Sequence, residues 1–348
     1  MCSNIISKLP KEDNARLISE LFSVKKPYTF LVGAGISMDP PSCVPSARQF
    51  VKELFTYYAP REEIDKLISL ESLRYEFLVE KVQNLIDKDI LFLDYLEDIK
   101  QPNINHIFLA NMIMRFNYVI TTNFDYLIEL AMKELLSIFP LYDRNHQKFM
   151  IIITKEDYLK DVRLKFPVIK IHGSKRDFIT GRLTKDSLVT TLSALGKERE
   201  KGKTFAIEPY KKKLIEDIIY GRNLVIMGYS GSDDFDITPM IKALKGIKRI
   251  IWIDHEPQII SGNEEIFKYV PTQIQSGTPN NPNLNKLDKI LAELAVIKNI
   301  EIFKIKAKTI EFVIDQLGPI YQKSFTNLKK PIPDDFLTFE KYMEKNHI

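Results

Sequence analysis

The runs FMIII (149–153), NLVIM (223–227) and KRIIWI (248–253) carry apolar residues at consecutive positions, where a strand with one wet face would alternate. Strands of this kind must be covered on both faces. The same character recurs in YTFLV (28–32), NYVIT (117–121), PVIKI (167–171) and IEIFKI (300–305). Between these runs lie segments of helical period, at 46–58, 105–115, 124–137, 207–221, 235–245, 283–298 and 308–322. Strand alternating with helix in this way predicts an α/β fold: a doubly wound, mostly parallel sheet of the Rossmann-like type. No internal repeat is present.

Two stretches break the alternation. Residues 60–100 are rich in charge with Leu and Ile at helical spacing, which predicts an all-helical insertion, and residues 173–206 interrupt the sheet again. Both are candidate lids. Residues 1–27 read as an N-terminal helical segment, 28–322 as the main domain and 323–348 as a Pro-containing linker with a short helix, while SGTPNNPNLN (276–285) reads as a polar loop. The helical insertion and the tail are candidate contacts for a regulatory protein partner or a second copy of the chain.

Composition narrows the class further. The chain has 348 residues, 45% hydrophobic, enough for a large core, and 50 Lys+Arg against 46 Asp+Glu leave a formal charge of +4. So balanced a charge carries no nucleic-acid footprint without a clustered basic face. Cys2 and Cys43 are the only cysteines, which excludes a disulfide framework and a paired-cysteine zinc site. The start MCSNIISKLPKEDNARL has no long apolar core, and no apolar run approaches membrane-spanning length, so a cytoplasmic protein is expected.

In an open parallel sheet, ligands bind outside the carboxyl ends of the strands, near the point where strand order reverses. The residues just after each strand are therefore the candidates for chemistry. They are Gly33-Ala34-Gly35-Ile36-Ser37, Thr122-Asn123-Phe124-Asp125, His172-Gly173-Ser174, Gly228-Tyr229-Ser230-Gly231-Ser232-Asp233, and Asp254. Gly33 and Gly35 fit two readings: close approach of backbone N–H groups to a phosphate, or the shaping of a tight strand-to-helix turn. The nicotinamide dehydrogenase fingerprint fails, since Met38 stands where its third glycine would be.

GAGIS, TTNFD, IHG and GYSGSD, in that order and each at a strand end, resemble the NAD-dependent sirtuin family, from about Leu31 to Asp254. QPNINHIFLANMI (101–113) adds to the likeness, with a structural role implied for His106. Two departures stand out. Where sirtuin deacylases carry a Gly-Pro-Asp-Phe-Arg stretch, this chain has CVPSARQF, with Pro45 and Arg48 but no acid, and residues 173–227 contain none of the zinc-binding cysteines. The pattern therefore resembles the zinc-less branch of the superfamily, similar to NAD-hydrolysing effectors of bacterial antiphage defence.

That resemblance implies an NAD glycohydrolase releasing nicotinamide and ADP-ribose or a cyclic form, gated by assembly or a partner, with NAD as substrate and no zinc. A protein deacylase or ADP-ribosyltransferase, and a non-catalytic NAD or ADP-ribose sensor, are the alternatives. Asn123 and His172 are the implied catalytic residues. Asn123 would hold the ribose hydroxyls or the attacking water, or else cap helix 124–137. His172 suits a general base at neutral pH. Asp125 would accept from the nicotinamide amide, or else complement a helix N-terminus. Gly33, Ala34, Gly35, Ser37, Gly228 and Ser230 would line the dinucleotide, with capping as the alternative for Ser37, and Asp254 would bind the adenosine ribose. Asp233, Asp234 and Asp236 are assigned mainly to the start of helix 235–245, Trp252 to the core, and His146, His255 and His347 to surface or packing.

Overall fold

The computed structural model describes residues 6–46, 49, 52, 60–69, 93–138, 148–188, 207–231, 236–271 and 284–325. Its strands are β1 (Ile6–Lys8), β2 (Tyr28–Val32), β3 (Tyr118–Thr121), β4 (Phe149–Ile152), β5 (Phe166–Lys170), β6 (Asn223–Met227), β7 (Arg249–His255), β8 (Glu265–Tyr269) and β9 (Ile302–Ala307). They form one sheet in the order β1-β8-β9-β7-β6-β2-β3-β5-β4. Every pairing from β9 through β4 is parallel, and only β8 on β9 and β1 on β8 are antiparallel. The expected Rossmann-like α/β architecture is what the chain adopts.

The helices are α1 (Asn14–Leu21), α2 (Arg61–Ser69), α3 (Asp94–Asp98), α4 (Ile104–Met114), α5 (Leu127–Ile138), α6 (Pro209–Ile219), α7 (Ile237–Ala243), α8 (Lys286–Lys298), α9 (Thr309–Phe312) and α10 (Gly318–Phe325). Side chains of a strand alternate between faces, so Phe30, Val32, Val119, Val168, Val225 and Ile251 meet α1, α4, α5 and α9 on one side. Leu31, Ile120, Ile169, Ile226 and Trp252 meet α6, α7 and α8 on the other. Each large apolar side chain buried in these layers contributes about 1.5–3 kcal/mol. This is why the strands can be apolar at consecutive positions. Helix α4 is apolar nearly all round and buried nearly all round, which carries its first turn into the interior.

Three differences from the sequence expectations have plain causes. The N-terminal segment adds an edge strand, β1, as well as α1, and α1 shares the main core through Ile18 and Leu21. Strand β8 was not expected: EIFKY is short and near the edge of the sheet, with a burial pattern too mixed to read as either period. The helix expected at 124–137 begins at Leu127. Of the expected insertion, α2 and α3 are described. Most of 46–58 and 70–92, residues 189–206, Arg48, Asp233, Asp234, most of the polar loop and the tail from 326 lie outside the described residues.

From β2 the chain builds outward through β3, then returns at β6 to build the opposite half through β7 and β9. The crevice between the ends of β2 and β6 is therefore the switch point where strand order reverses. Among the described residues, no helix is long and apolar enough to cross a membrane.

Candidate functional site at the switch point

The two loops that leave β2 and β6 touch backbone to backbone. Gly35 N–H donates to the Gly228 carbonyl at 2.8 Å. A Cβ on Gly33 would sit 2.7 Å from the Gly228 carbonyl oxygen, and one on Gly35 would sit 2.8 Å from Gly228 Cα. Gly228 itself has φ 65°, and a Cβ there would lie 2.5 Å from Ile36 N. Close loop-to-loop packing thus leaves no room for a side chain at any of the three positions. Ala34 opens the short 3-10 turn that follows, Ala34–Ser37.

Ser37, fully buried at the end of that turn, is the hub of a polar network. Its Oγ lies 3.0 Å from His106 Nε2, 3.0 Å from Asp125 Oδ2 and 3.2 Å from Asn123 Nδ2. Proton assignments follow from the partners. His106 Nδ1 accepts from Asn103 N–H at 3.1 Å, so a neutral ring carries its proton on Nε2 and donates to Ser37. Burial holds His106 near pH 4, against the pull of Asp125, so the ring is neutral at working pH. The serine proton goes to Asp125, leaving Ser37 to accept from both His106 and Asn123. Ser37 is then saturated, and it makes no capping bond to its own turn.

The consequence falls on Asn123. Its amide nitrogen must face Ser37, so its Oδ1 faces elsewhere, and that oxygen is buried with no hydrogen-bond partner. The residue is 7% exposed. A buried acceptor left unpaired costs about 1–3 kcal/mol, which a ligand donor would relieve. Asn123 does not cap α5, since the helix begins at Leu127, whose N–H is taken by Asp125 Oδ1 at 3.1 Å. The capping task belongs to Asp125, which joins it to the bond with Ser37.

His172 follows β5 and meets Asp236, the N-cap of α7. His172 Nε2 lies 2.7 Å from Asp236 Oδ2, while Asp236 Oδ1 accepts from Ile237 N–H at 2.8 Å. Burial disfavours the charged imidazole, but the Asp236 carboxylate outweighs it and raises His172 above its ordinary value. The same pairing lowers Asp236 against the opposite effect of burial. With Nε2–H given to the carboxylate, Nδ1 is left as the lone-pair nitrogen, and it has no hydrogen bond among the described residues. The His172 side chain is 20% exposed, open enough to be reached.

Strands β3 and β5 are neighbours, so these two centres adjoin: Ile171 N–H donates to the Thr121 carbonyl, and the Phe124 ring lies 6.4 Å from the His172 ring. Asp254, the penultimate residue of β7, stands on the other flank of the switch point, half-buried, with burial raising its carboxyl pKa against Lys304 and Lys306. Between them stand Gly228 and Tyr229, whose ring lies 6.0 Å from Trp252, followed by Ser230. Trp252 is fully buried, as expected of core.

Three contributors lie outside the strand-end candidates. Asn103 caps α4 in a reciprocal box with His106, a spacing of cap and third residue that the sequence does display. Asn105 donates to the Ile36 carbonyl from the same turn, and its own Oδ1 is buried without a partner. The pairing of Asp236 with His172 spans 64 positions and leaves no local trace.

Residues 117–266 match the family model described as a SIR2-like domain. The match runs from β3 through β7 and ends at the start of β8, and it includes Asn123, Asp125, His172, Gly228, Ser230, Asp236 and Asp254. It supports a place in the sirtuin-like superfamily, whose SIR2-like domains are NAD-using enzymes. No curated protein matches the chain.

Proposed function

We propose that the chain hydrolyses NAD at the nicotinamide–ribose bond: NAD and water give nicotinamide, ADP-ribose and a proton. The observation that carries this reading is the unpaired, buried Oδ1 of Asn123 at the switch point. That oxygen suits a ribose hydroxyl or the attacking water, either of which would satisfy it. Nicotinamide leaves as a neutral group from a cationic one, so the bond needs little acid help; the demand falls on the oxocarbenium-like sugar, which fixed dipoles and a base can meet. His172, oriented by Asp236, would accept the proton through Nδ1. Asp125 and Ser37 would hold Asn123 in register, Gly33 to Gly35, Gly228 and Ser230 would line the dinucleotide, and Asp254 would take the adenosine ribose.

The resemblance noted above extends the proposal to an NAD-depleting effector of antiphage defence, working in the cytoplasm and gated by assembly or a partner. The test mixes purified protein with NAD and separates products by chromatography. Nicotinamide and ADP-ribose should appear without an acylated peptide, and Asn123→Ala and His172→Ala should each lower the rate by about a hundredfold or more. Full activity in both variants would remove the assignment.

A further inference from the structure

Two fully buried lysines stand directly behind the site. Lys170 lies in β5 and Lys211 in α6, and each is 0% exposed. A buried ammonium is costly unless every donor is met. Lys170 Nζ donates to the backbone carbonyl of Asp125 at 2.5 Å and to Glu129 Oε1 at 2.9 Å, and it sits 4.9 Å from the centre of the Tyr126 ring. Lys211 Nζ donates to the backbone carbonyl of Ile171 at 2.5 Å and to Glu208 at 2.8 Å, with the Tyr158 and Tyr210 rings 5.8 and 5.6 Å away.

The two environments share three kinds of partner: a carboxylate, aromatic rings (Tyr126 for Lys170, Tyr158 and Tyr210 for Lys211) and a main-chain carbonyl. The carboxylate offsets the charge and the ring covers it. The third partner is the informative one. Asp125 belongs to the turn that carries Asn123, and Ile171 immediately precedes His172. A helix or strand interior would satisfy those carbonyls with N–H groups, but Ile171 is the first residue after β5 and Asp125 lies in the turn between β3 and α5, outside both ladders.

We propose that Lys170 and Lys211 are positioning residues, each fixing through one main-chain carbonyl a strand-end turn that presents a reacting side chain, Asn123 and His172 respectively. The proposal rests on the reading of those two as the residues that face substrate. Lys170 holds the Asn123–Asp125 turn from behind while Ser37 holds its side chains from the front, so the turn is tied at both surfaces.

The test removes each ammonium together with its carboxylate, so that no unpaired charge is left buried: Lys170→Met/Glu129→Leu and Lys211→Met/Glu208→Gln. The exposed pair Lys213→Met/Asp217→Leu is the control. Two readouts are taken on folded protein, amide hydrogen exchange along 122–127 and 171–173, and NAD turnover with kcat and KM separated. We expect about tenfold faster exchange confined to the turn concerned and at least a tenfold fall in kcat with KM within about twofold. Unchanged exchange in both variants overturns the proposal, as does faster exchange with wild-type kcat, which would leave the lysines structural only. If the wild-type chain turns over no NAD, the hydrolase reading fails while exchange still decides whether the lysines fix the turns. If one double variant does not fold, the other pair and its own turn decide.

Discussion

Asp236 serves two groups through its two oxygens, the first N–H of α7 and the His172 ring, and this ties the histidine to a helix end. The pairing fixes the pH behaviour. Burial alone would lower His172, and the carboxylate raises it above its ordinary value of about 6.5. In the proposed role of base His172 works deprotonated, so kcat/KM for NAD should then rise with pH through that raised value. Asp236→Asn removes the anion but not the burial. The acid limb should then move to lower pH, and the plateau should fall by about 10- to 100-fold because the ring loses its orienting partner. Stability follows the opposite sign. A raised folded pKa gives stabilisation that is complete below the unfolded value and is lost as pH rises through the folded one. The urea midpoint advantage of the wild-type chain over Asp236→Asn should therefore narrow on going to alkaline pH, and an advantage that widens would contradict the pairing. The histidine itself was legible from His172-Gly173 at a strand end; its partner, arriving from another loop across the sheet, was not. Ser37 is similar. Its position after the glycines was visible, but its saturation by three side chains depends on α4 and β3 coming to the same point.

Among elements, the contact between the β2 and β6 loops is the most demanding. Gly228→Ala would place a methyl 2.5 Å from Ile36 N and 2.6 Å from Ile36 Cγ2, at a positive φ that L-residues avoid. Overpacking costs about 1–3 kcal/mol and the left-handed backbone about 1–2 kcal/mol more. Gly262→Ala shares a positive φ but meets nothing within 4 Å, so it should cost the backbone part alone. Urea unfolding of the two variants separates the terms: equal losses would show that the loops do not touch as described. The central strands were readable because a strand covered on both faces has a run of apolar residues, and β2 and β6 were bounded correctly to the residue. Edge elements give no such signal. β1 has three residues, all partly or fully exposed, and earns its place through pairing with β8 rather than through its own sequence. The start of α5 was misplaced for a local reason: Asn123 and Asp125 both suit a cap, and the choice fell to Asp125 because Ser37 holds Asn123 away.

At the scale of the molecule, one reversal of strand order sets Asp254 on β7 and His172 after β5 on opposite flanks of the glycine contact, with β6, β2 and β3 between them. A ligand reaching both flanks must be extended, as a dinucleotide is, and it would be held by groups from both halves of the sheet. Such a ligand binds only the folded chain and stabilises it by mass action. ADP-ribose at a hundred times its Kd should add about 2.7 kcal/mol and raise the melting temperature by a few degrees. Asp254→Ala, by removing one charged hydrogen-bond acceptor worth about 1.4 kcal/mol, should weaken affinity about tenfold and lower that stabilisation to about 1.4 kcal/mol at the same concentration. Lys213→Ala, an exposed residue of α6, should leave the shift intact. Nicotinamide alone is too short to span the flanks, so its effect should not respond to Asp254→Ala. If ADP-ribose leaves the melting temperature of the wild-type chain unchanged at millimolar concentration, the switch point does not hold a dinucleotide, and the polar network at Ser37 is a device of folding alone.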